Sequence, residues 1–307
     1  MGSEARSHYR RELRPLLDAA LRTPNLRDWS GGFLTVARLS LDERAREGEI
    51  EALEDYLLAH SGLPEGELDR DLLAAFADEI QRVCHDETLS LRLSYNAVSW
   101  LLNAWRFLAD ARLADSDPLV VLPCCAAIGT GVHAVAFRGV AEGTRVLMHM
   151  ASGPLWRVRD AVAQGFQRML AEDWPRAMHE LRRYALIGDV QQQRVMLVAM
   201  TEPALLTERA HALDALDLLH AILAGFRRLP SQARYGTAIQ ALRDTLVEAI
   251  NAVITVERRA GFAAAQTWLA WNDPGIAEMV RQSVERQPLA SWQEAASLRQ
   301  SFSNGRK

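Results

Sequence analysis

Phosphate-binding loops, kinase-type phosphate contacts and pyridoxal Schiff bases all need an internal lysine. In this 307-residue chain Lys307, the last residue, is the only lysine among 35 basic residues. A Walker A loop uses that lysine to reach the phosphates, a protein kinase uses a strand lysine, and a pyridoxal phosphate enzyme bonds one covalently. No nucleotide partner is therefore expected. The remaining basic side chains are arginines, whose planar guanidinium favours bidentate, structured ion pairs. Gly129-Thr130-Gly131, with Gly139 and Gly143 beyond it, looks superficially like a phosphate loop. Its flanks, Ala126 to Ile128 and Val132 to Phe137, read as helix on both sides, so the glycines are expected to let helices approach closely. Cys124-Cys125 with His133 and His149 lacks the Cys-x2-Cys or His-x3-His spacing of a zinc site. These cysteines are expected to be small buried hydrophobes, and no metal is assigned. Asp115/Asp117, Glu172/Asp173 and Asp214/Asp217 fall in loops or on polar helix faces. No Gly-x-Ser-x-Gly elbow occurs, so no catalytic residue and no cofactor is assigned.

The residue types left for recognition are tryptophan and arginine, the usual anchors of interfaces. Trp100 and Trp105 lie among apolar neighbours and are expected in the core. Of Trp268 and Trp271, one is expected to pack and the other to be partly wet. Trp156 and Trp174 each open a helix and are expected to face a groove. The expected binding residues are Trp156, Arg157, Arg159, Gln192, Arg194 and Trp174. The competing role for Arg159 and Arg194 is structural, with their guanidinium groups tying successive loops together.

Helices must position all of these. Leu72, Leu73, Phe76, Ile80 and Val83 recur at helical spacing, as do Tyr95, Val98, Leu101, Leu102, Trp105 and Leu108. Val158, Val162, Phe166 and Met169 make another stripe, and Ile239, Leu242, Leu246, Ile250 and Ile254 a long late one. Alternating β-branched runs and Asn-Gly or Asp-Gly hairpin turns are missing. Short breaks such as Ser116-Asp117-Pro118 and Asn272-Asp273-Pro274 place Asp ahead of Pro in the order of an N-terminal cap. The fold class expected is all-α: a right-handed α-α superhelix of stacked antiparallel helix pairs. Residues 1–62 are expected as an N-terminal helical cap, with Asn25 to Gly32 its least helical piece. Residues 63–292 follow as helical repeats and 293–307 as a flexible tail, in one continuous structural domain.

The composition, 49% hydrophobic and 24% charged, is that of a globular protein with a sizeable core. The net charge of −4 disfavours a dedicated nucleic-acid or anionic-membrane binder. Pro118 to Phe137 is the most apolar stretch, but it carries His133 and two glycines and reads as buried helix. The start of the chain is polar and charged, unlike a signal peptide. Three cysteines without a framework pattern fit a reducing cytoplasm.

Setting Arg159 against Arg194 aligns Val162 with Leu197 and exposes a repeat of two-helix units. The segment Trp156 to Gln167, the shorter helix Trp174 to Leu186 and the second arginine-bearing helix Gln191 to Leu197 together resemble bacterial HEAT repeats. Gly261 to Trp271, Asn272-Asp273-Pro274 and the final helix to Leu289 resemble the closing unit of the same group, an uncharacterised one. Ser61-Gly62-Leu63-Pro64 followed by Leu72 to Ala77 is similar to its N-terminal part. The group's loop Asp is present at Asp189 and Asp273, whereas Pro154 after Ser152-Gly153 departs from its pattern. The resemblance implies a HEAT/armadillo-like solenoid, a fold that serves unrelated tasks. The function expected is a non-catalytic cytoplasmic scaffold that holds a protein or peptide partner. The alternative is an alkylpurine DNA glycosylase of HEAT-like fold, against which the net charge counts.

Overall fold

A computed structural model describes residues 2–21, 47–86, 91–110 and 112–304. The fold is all-α, with fourteen α-helices and no strand among the described residues. Asn25 to Gly32 lies outside them. The chain forms two compact units, Met1–Met169 and Leu170–Lys307, where the sequence pattern placed boundaries at 62/63 and 292/293 of a single domain.

The first unit holds α1 (Gly2–Leu21), α2 (Glu47–Ala59), α3 (Arg70–Cys84), α4 (Leu91–Arg106), α5 (Val121–Ala136), α6 (Val140–Ala151) and most of α7 (Trp156–Glu172). α5 is its centre. Asp117 caps the 3-10 turn Pro118–Val120 that leads into it, and α2, α3, α4 and α6 pack on it. Residues 118–136 are long and apolar enough to cross a membrane, but 72% of that stretch is buried among the other helices, which accounts for its composition. Cys124 and Cys125 are fully enclosed, and burial pushes the Cys124 thiol well above its ordinary range.

Helices this close need small residues. A Cβ added to Gly131 of α5 would lie 2.1 Å from the Gly165 carbonyl oxygen of α7, and one added to Gly143 of α6 would lie 2.4 Å from the Ala134 Cβ. Gly131 and Gly143 thus let helices approach closely, as the helical flanks of the glycine cluster suggest. The stripe Val158, Val162, Phe166, Met169 on α7 is buried as its spacing predicts.

Within the stretch expected as a cap, α1 and α2 contribute to this core: Leu13 and Leu17 of α1 and Leu53 and Leu57 of α2 have no solvent exposure. Charge fixes α1 on α3. The Glu79 side chain is wholly enclosed and accepts from Arg10 at 3.3 Å, Arg14 at 3.1 Å and Arg82 at 2.6 Å. Arg82 also donates to Asp18, and Arg6 clamps Asp78. Burial drives the Glu79 carboxyl up, but the hydrogen bonds from Arg14, Arg82 and Arg10 outweigh it and leave the group below the usual glutamate range.

The second unit holds α8 (Trp174–Ile187), α9 (Val190–Met200), α10 (Arg209–Arg228), α11 (Thr237–Val256), α12 (Arg258–Leu269), α13 (Pro274–Glu285) and α14 (Gln293–Asn304). Each helix packs on its successor, and α8 to α11 each pack on the next but one as well, giving two layers, α8-α10-α12 and α9-α11-α13. Asp189 caps α9 with a capping box through Gln192, and Asp273 caps α13. Polar bonds run along each layer. Trp174 of α8 donates to Asp214 of α10 at 2.8 Å, Arg209 of α10 to Glu257 at the start of α12 at 2.8 Å, and Arg258 of α12 to Glu294 of α14 at 2.8 Å. In the other layer Ser283 Oγ of α13 donates to the Val247 carbonyl of α11 at 3.0 Å. Residues 293–304, expected within a flexible tail, form α14 because Ala295 and Leu298 bury against the preceding helices.

Two predictions test this packing. Phe166→Ala should cost ~3–5 kcal/mol, the range for an aromatic ring deleted from a closed core. A urea-denaturation midpoint close to that of the native chain would contradict the burial. Glu79→Gln should cost about 2 kcal/mol, the scale of hydrogen bonds to a charged group. Because the folded carboxyl lies below its unfolded value, its contribution is complete above the unfolded pKa near ~4.3 and falls away as pH drops through the folded one. Stability of the native chain should therefore decline on acidification more steeply than that of Glu79→Gln. Parallel melting curves between neutral and acidic pH would refute this role.

Candidate functional site

Trp156 and Arg157 open α7 at the surface. Trp156 keeps 45% of its surface exposed, and the Arg157 guanidinium lies over its ring at 4.6 Å. Arg157 is held from behind: its Nε donates to the Asp115 carbonyl at 2.8 Å. Arg159 donates from Nη1 to the carbonyls of Gly153 and Pro154 at 2.7 and 3.0 Å, tying the start of α7 to the loop before it. The segment before α5 adds two further exposed apolar side chains, Phe107 and Leu119. The Arg106 guanidinium lies 4.8 Å from the Phe107 ring centroid.

The other three expected residues, all in the second unit, are absorbed by structure. Trp174, expected to face a groove, is 6% exposed because its indole stacks on His211 at 3.9 Å while bonding Asp214. Gln192 accepts from the Asp189 backbone at 3.0 Å as the return half of the capping box. Arg194 donates from Nη1 to Gln191 at 3.0 Å within its own helix, and its Nε is buried without a hydrogen bond among the described residues. The carboxylate pairs are likewise occupied. Asp115 holds the backbone start of α7 and Asp117 caps a turn, while Asp173 caps α8 and Asp214 holds Trp174 and Arg182.

No protein-family model matches this chain, and a search of curated proteins returns no match. Function has to be argued from the molecule's own surfaces.

Beyond the Trp156 surface, the first unit carries a groove of about 280 Å³ that three helix faces build. α4 supplies Tyr95, Ser99, Asn103 and Arg106, at steps of four, four and three along one helical face. α5 supplies Thr130, His133 and Phe137, and α6 supplies Glu142 and Val146. One end is aromatic: His133 and Phe137 lie 4.8 and 5.3 Å from the Tyr95 ring, centroid to centroid. The His133 ring nitrogen Nε2 faces the Tyr95 carbonyl at 3.2 Å. Burial pushes the His133 pKa below its ordinary value, against the opposite pull of that bond, so the ring is neutral at pH 7.

The other end is charged. Arg106 is half-buried and has no hydrogen bond or ion pair among the described residues. Burial lowers its pKa, nearby Arg145 adds to that, and Glu142 and Asp110 act against both. Glu142 itself is taken by Arg145, whose Nε donates to it at 2.9 Å. Nothing in the groove pairs a nucleophile with a base, and among the described residues no three His, Cys, Asp or Glu side chains gather as a metal site. The groove thus sets a cation, hydrogen-bonding side chains and an aromatic cluster along one cleft.

The sequence pattern placed Tyr95 on the apolar stripe of α4, whereas the ring is 43% exposed while Val98, Leu101, Leu102 and Trp105 are buried. The available signal was the polar series Tyr95, Ser99, Asn103, Arg106, which in isolation is indistinguishable from an ordinary solvated helix face.

Proposed function

We propose that this protein is a non-catalytic cytoplasmic binding or scaffold protein that holds a protein or peptide partner through the surface around Trp156 and Arg157. The observation that carries this reading is the half-exposed indole with a guanidinium stacked on it and fixed from behind by Asp115. An aromatic side chain already held in place loses little freedom on binding, and Trp and Arg dominate measured interface energies. The three free, buried cysteines are in keeping with a reducing compartment.

We also infer that the helices are arranged in HEAT fashion, as stacked pairs. The support is the second unit, where each helix contacts its successor and α8 to α11 each contact the next but one, as in a two-layer stack. Enclosure of α5 on several sides in the first unit is the least repeat-like part of the molecule.

The alternative, a DNA-acting glycosylase, would need a stripe of free cations to neutralise phosphates. Arg157 and Arg159 instead donate to backbone carbonyls of their own unit, and Arg194 to a neighbouring side chain. The last two arginines of that candidate stripe are Arg227, which lies over the Trp271 ring at 5.7 Å, and Arg228 beside it at the end of α10.

Two measurements separate these readings. A partner co-purified from the native host should bind the intact chain, and Trp156→Ser should weaken it about thirtyfold, the scale of a hot-spot residue. Labelled duplex DNA should show no submicromolar binding by fluorescence anisotropy at physiological salt, and alkylated DNA should lose no base. Unchanged partner affinity in Trp156→Ser would remove the assigned surface. Tight, steeply salt-dependent DNA binding or base release would replace the scaffold reading with the enzyme.

A further inference from the structure

The groove between α4, α5 and α6 shares no lining residue with Trp156 or Arg157 and has a chemistry of its own. Its cation is half-desolvated yet lacks an anionic partner within hydrogen-bonding distance among the described residues. A guanidinium carries five N–H donors in a planar fork that matches a carboxylate. Of the two carboxylates near that end, Glu142 is held by Arg145, and Asp110 lies 3.4 Å from His149. The lining also includes the apolar side chains of Val146 and Leu102 and, at the opposite end of α4 from Arg106, the Tyr95–His133–Phe137 cluster. Ser99 and Asn103 lie between and bond to each other at 3.3 Å.

We propose that this groove binds a small monocarboxylic acid with an apolar or aromatic body, the carboxylate pairing with Arg106 and the body lying toward Tyr95 and Phe137. The single available cation and the Glu142 carboxylate on the opposite wall select one negative charge over two. A phosphate monoester would bring its second charge against Glu142, and a neutral body of the same shape would leave the guanidinium unpaired. The volume, about 280 Å³, suits a body of roughly ten carbon atoms and is close to the lower end of ligand pockets. This site does not require the scaffold reading. Loss of a protein partner in Trp156→Ser and loss of the acid in Arg106 variants are separate outcomes.

The test is isothermal titration calorimetry on the full chain with 4-phenylbutyrate, 4-phenylbutanol and 4-phenylbutyl phosphate. The expected result is saturable, one-to-one binding of the acid, with the alcohol and the phosphate each at least about tenfold weaker. Arg106→Gln should weaken the acid by about tenfold or more and bring it level with the alcohol. Glu142→Gln should narrow the gap between acid and phosphate. Ser99→Trp, which fills the groove without touching its charge, should abolish binding with an unchanged circular dichroism spectrum, and Trp156→Ser should leave it intact. If Arg106→Gln fails to fold, the comparison of acid with alcohol on the native chain and the Ser99→Trp block still decide the matter. Absence of saturable acid binding to the native chain overturns the proposal, as does equal binding of acid and alcohol or acid binding that survives Ser99→Trp.

Discussion

How closely other helices can approach α5 governs the first unit. α5 meets α2, α3, α4 and α6 and touches the backbone of α7 where Gly131 and Gly165 meet. Such enclosure leaves no room for a solvated polar face, so the helix is built of alanine, glycine, cysteine and aliphatic residues. The polar residues it keeps, Thr130 and His133, face the gap between α4 and α6. Thr130 returns its hydroxyl to the Ala126 carbonyl of its own helix, which satisfies the donor without a partner from outside. The groove is thus the remainder of close packing: it opens on the one side of α5 where its neighbours do not meet.

Charge does elsewhere what small residues do around α5. Glu79 can stay ionised without water because three guanidinium groups supply its hydrogen bonds, and their outer sides remain wet. A carboxylate buried alone would cost several kcal/mol. Sharing it among arginines from α1 and α3 turns that cost into a constraint on where α1 can lie. The second unit spreads the same chemistry more thinly, with polar bonds between several pairs of helices that are next but one in sequence. Each bond fixes the register of two helices whose apolar faces alone would tolerate sliding.

Local information made much of the fold legible. The stripe Val158, Val162, Phe166, Met169 needs only its own spacing to be read as buried, and Asp189 and Asp273 need only their neighbours to be read as caps. What escaped depends on residues far apart in the chain. Trp174 at the start of a helix looks free until Asp214 and His211, some forty residues on, close over it. Glu79 looks like one polar residue on an amphipathic helix, and its burial follows from arginines more than sixty residues earlier. Arg106 looks like an ordinary cation in the last turn of a helix. Only the placement of α5 and α6 beside it turns that position into the end of a groove.

The distribution of sulfur follows from the same architecture. Cys84, Cys124 and Cys125 all belong to the first unit and all are buried, two of them inside its central helix. The described part of the second unit contains none. A thiol reagent therefore cannot modify Cys124 or Cys125 until helices separate around α5, and its rate reports cooperative opening of that unit rather than surface accessibility. The chain thus carries a native reporter for the opening of one of its two units and is silent about the other.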